Sequence, residues 1–98
     1  MALMTGKQRS RLKSIAHHIK PVIIIGKGGV SEGLVAALDK SLSDHELIKI
    51  KFNDFKDEKK DLAESVAVRT GSELVSLIGN VAVLFRQNED PERQKVII

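Results

Sequence analysis

An unbroken β-branched run, Val22-Ile23-Ile24-Ile25, passes directly into Gly26-Lys27-Gly28-Gly29 and then into an amphipathic segment opening at Ser31. Few folds accommodate that succession. Valine and isoleucine fit a pleated surface, and the absence of polar alternation predicts a central strand covered on both faces. Three glycines in four positions permit close backbone approach and positive φ. Ser31 is placed to cap a helix, and Leu34, Val35, Leu38 and Leu42 recur as its buried stripe. The first free N–H groups of that helix leave the turn at the positive end of its dipole, a setting suited to a phosphate, and Lys27 adds a cation.

Similar arguments divide the rest of the chain. Thr5-Gly6-Lys7-Gln8 fits a capping box, and Leu12, Ile15, Ala16 and Ile19 form one helical face. Pro21 disfavours helical geometry at Lys20, which predicts a first helix over residues 6–18. Leu47–Phe52 alternates, with Ile48, Ile50 and Phe52 inward and Lys49 and Lys51 outward or along an edge. A third helix is predicted from near Asp57 to Thr70, with Leu62, Ala63 and Val66 inward and Gly71 at a left-handed terminus. Leu74–Ile78 and Val81–Phe85 read as strands joined by the two-residue turn Gly79-Asn80. The predicted fold class is α/β: a compact α-β-α-β-α-β-β domain over residues 5–87, with helices packed on a four-stranded mixed sheet. Residues 88–98 form a polar tail, frayed until Val96-Ile97-Ile98.

The chain has 98 residues, enough for one core. It has no cysteine, so disulfides and thiolate zinc sites are excluded. No apolar run approaches a membrane span and no signal peptide is visible, so a cytoplasmic protein is expected. Sixteen Lys and Arg face thirteen Asp and Glu, but six of the basic residues precede the first acidic one, Glu32. Residues 1–31 therefore carry +6 and the remainder −3. A basic end beside a mildly acidic body suits a polyanion bound on one side; the alternative is a solvated, lysine-rich helix.

The glycine turn is a poor nucleotide motif. A dinucleotide fold needs G-x-G-x-x-G, and Ser31 stands at the third glycine. A P-loop needs its lysine after the last glycine, whereas Lys27 precedes Gly28. The four-residue G-x-x-G does fit, and in KH domains such a loop clamps a nucleic-acid backbone. The same residues would also serve a tight strand-to-helix turn with no ligand. His17, His18 and His45 lack metal-ligand spacing, and the acidic residues of 57–64 alternate with Lys56, Lys59 and Lys60 as on a solvated helix face. No nucleophile sits in a recognisable elbow, so neither an enzyme, a metal nor a cofactor is expected.

Several separated motifs carry a resemblance. They are Thr5-Gly6-Lys7-Gln8, Ala16-His17-His18-Ile19-Lys20-Pro21-Val22, the Gly26–Gly29 loop, Glu32-Gly33 and His45-Glu46-Leu47-Ile48-Lys49-Ile50-Lys51. Arg69-Thr70-Gly71, Ile78-Gly79 and Leu84-Phe85-Arg86 follow in order. Over residues 5–86 the series resembles the YhbY-like proteins, the single-domain bacterial form of the CRM domain (chloroplast RNA splicing and ribosome maturation). The resemblance implies RNA binding, association with the assembling large ribosomal subunit, and a fold similar to a translation initiation factor C-terminal domain. Gly28 stands where a polar residue such as Asn is common, and Gln87 where Pro is frequent.

On this reading Gly26, Lys27, Gly28 and Gly29 hold a phosphate, and the first helix adds cations. Arg9, Lys13 and Lys20 fall on one flank of its apolar stripe; Lys7, Arg11 and His18 fall on the other. With three Phe and no Tyr or Trp, Phe55 is the one candidate for an exposed stacking platform. The expected partner is structured RNA, ribosomal RNA in particular, bound by a monomer away from any membrane. A protein–protein adaptor on the ribosome or another assembly is the alternative.

Overall fold

The computed structural model describes residues 4–96. Its elements are α1 (Gly6–Ala16), β1 (Ile23–Ile25), α2 (Glu32–His45), β2 (Leu47–Phe52), α3 (Lys59–Thr70), β3 (Glu73–Ile78) and β4 (Val81–Phe85), with a 3-10 turn at Pro91–Arg93. The element order is the predicted one. The sheet runs β1-β2-β4-β3, with β1 parallel to β2 and the other two pairings antiparallel.

Local signals set the helix ends. Thr5 Oγ1 accepts from the Gln8 N–H while Gln8 Oε1 accepts from the Thr5 N–H, completing the capping box. Ser31 Oγ accepts from the Leu34 N–H, and Gly71 closes α3 at φ 64°. Two helix boundaries differ from expectation by two residues each. The α1 helix ends at Ala16, because the His18 and Ile19 N–H groups bond three residues back to Ile15 and Ala16 and tighten the chain out of the helix. The α3 helix begins at Lys59, after a turn at residues 56–58.

The core lies on both sides of the sheet. On one face Leu38 and Leu42 of α2 and Ala63, Val66 and Ala67 of α3 pack on Ile25, Ile48, Ile50, Phe52, Ala82 and Leu84. On the other, Leu12 and Ala16 of α1 pack on Leu47, Val75, Val83 and Phe85. A bulge in β3 between Leu74 and Ser76 sets Val75 into this second cluster.

Two expectations fail here. β1 is an edge strand, not a central one. Ile25 is buried and Ile23 packs on the α2–α3 side, but Ile24 is 57% exposed and Val22 46%. A continuous apolar run leaves open whether a helix covers each face, and no helix covers Ile24. The tail is not frayed between Gln87 and Val96. The Glu46 side chain, 1% exposed, accepts from the N–H groups of Asn88, Lys95 and Val96 at 2.5–2.8 Å, and Val96 packs against the α1 cluster. The tail's predicted apolar end also includes Ile97 and Ile98, which lie outside the described residues.

Candidate nucleic-acid interface

The glycine loop leaves the sheet from its first edge. Ile25 anchors it: the Ile25 carbonyl accepts from the N–H groups of Asn53 at 2.9 Å and Asp54 at 3.2 Å. This ties the β1–α2 and β2–α3 loops together. The Gly29 N–H donates to the Gly26 carbonyl at 3.0 Å, so Lys27 and Gly28, both exposed residues, are the central pair of a tight turn.

The glycines are not equivalent. Gly29 alone of the three takes a positive φ, 64°, and the ring of Phe55 lies against it. A β-carbon at Gly26 or Gly28 would meet nothing within 4 Å. Those two positions keep the turn bare, and a ligand can approach its backbone without displacing a side chain. Phe55 is therefore no free stacking platform: its half-buried ring supports the loop and packs on the core.

A third loop completes this end of the sheet. The Phe52 N–H donates to the Asn80 carbonyl at 2.7 Å. Lys59 Nζ donates to the Gly79 carbonyl at 2.6 Å and to Asn80 Oδ1 at 3.2 Å. Lys59 thus clasps the hairpin turn, a contact that only folding reveals. Lys27, Lys51, Lys56 and Lys60 are exposed.

The basic residues of the first helix separate into distinct roles. Arg9 is engaged internally: Nη1 donates to the Leu74 carbonyl at 2.9 Å and the Val75 carbonyl at 2.8 Å, and Nη2 lies 3.7 Å from Glu73 Oε2. It braces the β3 bulge. Lys13 and His17 border a shallow cleft of about 280 Å³ with Lys49, Ser76, Ile78, Val81 and Val83. Lys20 lies beyond the helix end and lines a different cleft with Ile15, Ile19, Val22, His45, Leu47 and Val96. Lys7 and Arg11 are exposed, on the side of the helix turned away from Lys13. The expected flank of Arg9, Lys13 and Lys20 thus breaks into three, and Lys13 is the member facing the open part of the sheet.

Arg86, in the last predicted motif, is structural. Its guanidinium donates to Asp39 Oδ1, the Asp39 carbonyl, Ser43 Oγ and the Thr70 carbonyl at 2.6–2.8 Å, fastening α2 and the end of α3 to β4. Among the described residues no group of three or more His, Cys, Asp or Glu is placed to hold a metal ion, and no helix is long and apolar enough to cross a membrane.

Comparison with known proteins gives consistent results. The family model described as the CRS1 / YhbY (CRM) domain matches residues 4–86. A protein of Pseudomonas aeruginosa, named a probable RNA-binding protein, is 38% identical over 91 residues, covering 92% of this chain and 88% of that one. YqeI of Bacillus subtilis, also named a probable RNA-binding protein, is 36% identical over 89 residues, covering 90% and 93%. The solution structure of a hypothetical Staphylococcus aureus protein, described as an RNA-binding candidate, superposes with a TM-score of 0.77 at 40% identity, covering 97% of this chain and all of that one.

Proposed function

The chain belongs to the CRS1 / YhbY (CRM) domain family, and we propose that it binds structured RNA, holding phosphate on the Gly26–Gly29 loop with Lys27 and on Lys13 of α1. The observation that carries this reading is the loop itself. Its turn is bare at Gly26 and Gly28, braced from below by Phe55, and leads into the N-terminus of α2. The names of the relatives support RNA as the polyanion. Lys7, Arg11 and Lys20 contribute to the positive field that draws RNA in, rather than to one contact surface.

The resemblance to bacterial YhbY-like proteins supports ribosomal RNA of the assembling large subunit as the ligand; on this reading the acting species is a cytoplasmic monomer. A phosphate clamp needs no catalytic group, and the function is binding.

The test is fluorescence anisotropy on a structured large-subunit ribosomal RNA fragment, with wild type against Lys27→Asp/Gly28→Asp across a salt series. Neither substituted position is packed or held at positive φ, so the variant is expected to keep its circular dichroism spectrum. The expected result is weaker binding and a shallower salt dependence, by roughly 0.7–0.9 in slope for each phosphate that is no longer neutralised. Equal affinity and slope for both proteins would reduce the loop to a turn.

A further inference from the structure

The face of the sheet that carries α1 is only half covered. Alternation along the strands and the pairing register define two cross-strand rows, one at the border of the helix and one beyond it. Ile24, Lys51, Val81 and Ile78 make the outer row, through the pairs Ile24–Lys51, Lys51–Val81 and Val81–Ile78. Lys49, Val83 and Ser76 make the inner row, which Lys13 and His17 overhang; its central Val83 is buried against α1, and Lys49 and Ser76 on either side are partly exposed. Ile24 and Ile78 are 57% and 70% exposed, among the most exposed large apolar side chains of the described residues. The outer row thus sets an exposed isoleucine at each sheet edge with Lys51 and the half-buried Val81 between them, so apolar and cationic groups share one surface.

We propose that this bare end of the sheet binds the minor groove of double-helical RNA. The inference rests on the RNA-binding reading above and extends it from the glycine loop to the adjoining sheet face. Charge argues for a nucleic acid: the two rows and their α1 rim hold Lys13, Lys49 and Lys51 and no carboxylate. Side-chain type argues for a duplex. Sheets that read single strands stack bases on aromatic rings carried by their strands, and neither row has one; His17 of the α1 rim is the single aromatic ring bordering this cleft. Branched aliphatic groups instead suit contact with ribose. Shape agrees: four strands at ~4.8 Å spacing give a floor ~14 Å across. The A-form minor groove is wide and shallow, and displays its 2′-hydroxyls. Ser76 and His17 border the cleft as hydrogen-bonding partners for those hydroxyls. The lysines reach the phosphates, and Lys27, exposed in the loop that follows β1, adds a further cation.

The test compares anisotropy titrations of the full chain with an RNA duplex of about 16 base pairs, the DNA duplex of the same sequence and the single RNA strand. The variants are Ile24→Thr/Ile78→Thr, which keeps charge and β propensity, and Lys27→Asp/Gly28→Asp. The expected result is that wild type prefers the RNA duplex to both other ligands. The threonine variant weakens duplex RNA binding by about tenfold and erases the preference, with the salt slope unchanged. If the threonine variant binds duplex RNA as wild type does while the loop variant is weakened, the floor inference falls and the loop reading stands; a floor that serves a protein partner gives this result. If neither variant changes any affinity, the loop reading falls as well. A wild-type preference for the single strand or for the DNA duplex overturns the assignment to A-form RNA.

Discussion

The ring of Phe55 lies against Gly29, so that a β-carbon at Gly29 would stand 3.3 Å from Cε2 of that ring. Gly29 also holds φ at 64°. The positive φ favours glycine here and the close ring adds a tight contact for any β-carbon, while Gly28 a residue earlier has neither feature. Gly29→Ala is expected to destabilise the fold by about 1–2 kcal/mol in urea unfolding. Gly28→Ala is expected to stay within about 0.5 kcal/mol of wild type. Equal losses at both positions would show that the turn depends on its glycines collectively rather than on Phe55.

Arg9 and Lys13 lie one helical turn apart, yet Arg9 is bonded to the β3 carbonyls while Lys13 is exposed. Arg9→Met removes the donor to the Leu74 and Val75 carbonyls and is expected to cost about 1–3 kcal/mol of stability. Lys13→Met, at an exposed position, is expected to leave stability within about 0.5 kcal/mol. On the proposed reading RNA affinity and the salt slope are both expected to fall, the slope by about 0.7–0.9. Thermal unfolding and salt-series anisotropy on both variants check the division.

Glu46 holds φ at 64° and ψ at −45°, a strained setting for a side chain with a β-carbon. Its carboxylate accepts three N–H groups from the tail, and its carbonyl accepts from the Arg86 N–H at 2.8 Å. Glu46→Ala keeps the backbone strain and loses the clamp; the expected cost is about 2–4 kcal/mol. Glu46→Gly loses the clamp but relieves the strain, and is expected to be less harmful by about 1 kcal/mol. Hydrogen exchange at Asn88, Lys95 and Val96 should accelerate in both. Unchanged protection there would mean that other contacts hold the tail.

Arg86 makes four hydrogen bonds with its side chain 22% exposed. A lysine cannot present the same planar fork to Asp39, Ser43 and the Thr70 carbonyl. Arg86→Lys is expected to lower stability by about 2 kcal/mol, with RNA affinity unchanged well below the melting temperature. A loss of affinity in the folded variant would place Arg86 in the interface instead.

Residues whose neighbours are close in sequence were legible from the chain alone. Thr5, Ser31 and Gly71 mark helix ends because their partners lie within one turn. Gly79 takes φ 57° at the hairpin turn that Gly79-Asn80 announces. The candidate loop was legible for the same reason, since strand, turn and helix cap are contiguous. Phe55 was not: its role depends on Gly29, which precedes it by 26 residues.

The sequence by itself determined the order of elements, their local ends, the position of the glycine loop and membership of an RNA-associated family. Periodicity and capping are short-range properties, and the chain states them directly. Tertiary structure decided that β1 is an edge strand, that α1 covers one end of its sheet face, that Arg9 braces β3 while Lys13 faces the open surface, and that Glu46 fastens the tail. Each of these depends on which distant segment lies alongside. An isoleucine run reads the same whether one face of its strand is covered or both. A surface arginine likewise reads the same until folding brings two carbonyl oxygens within its reach.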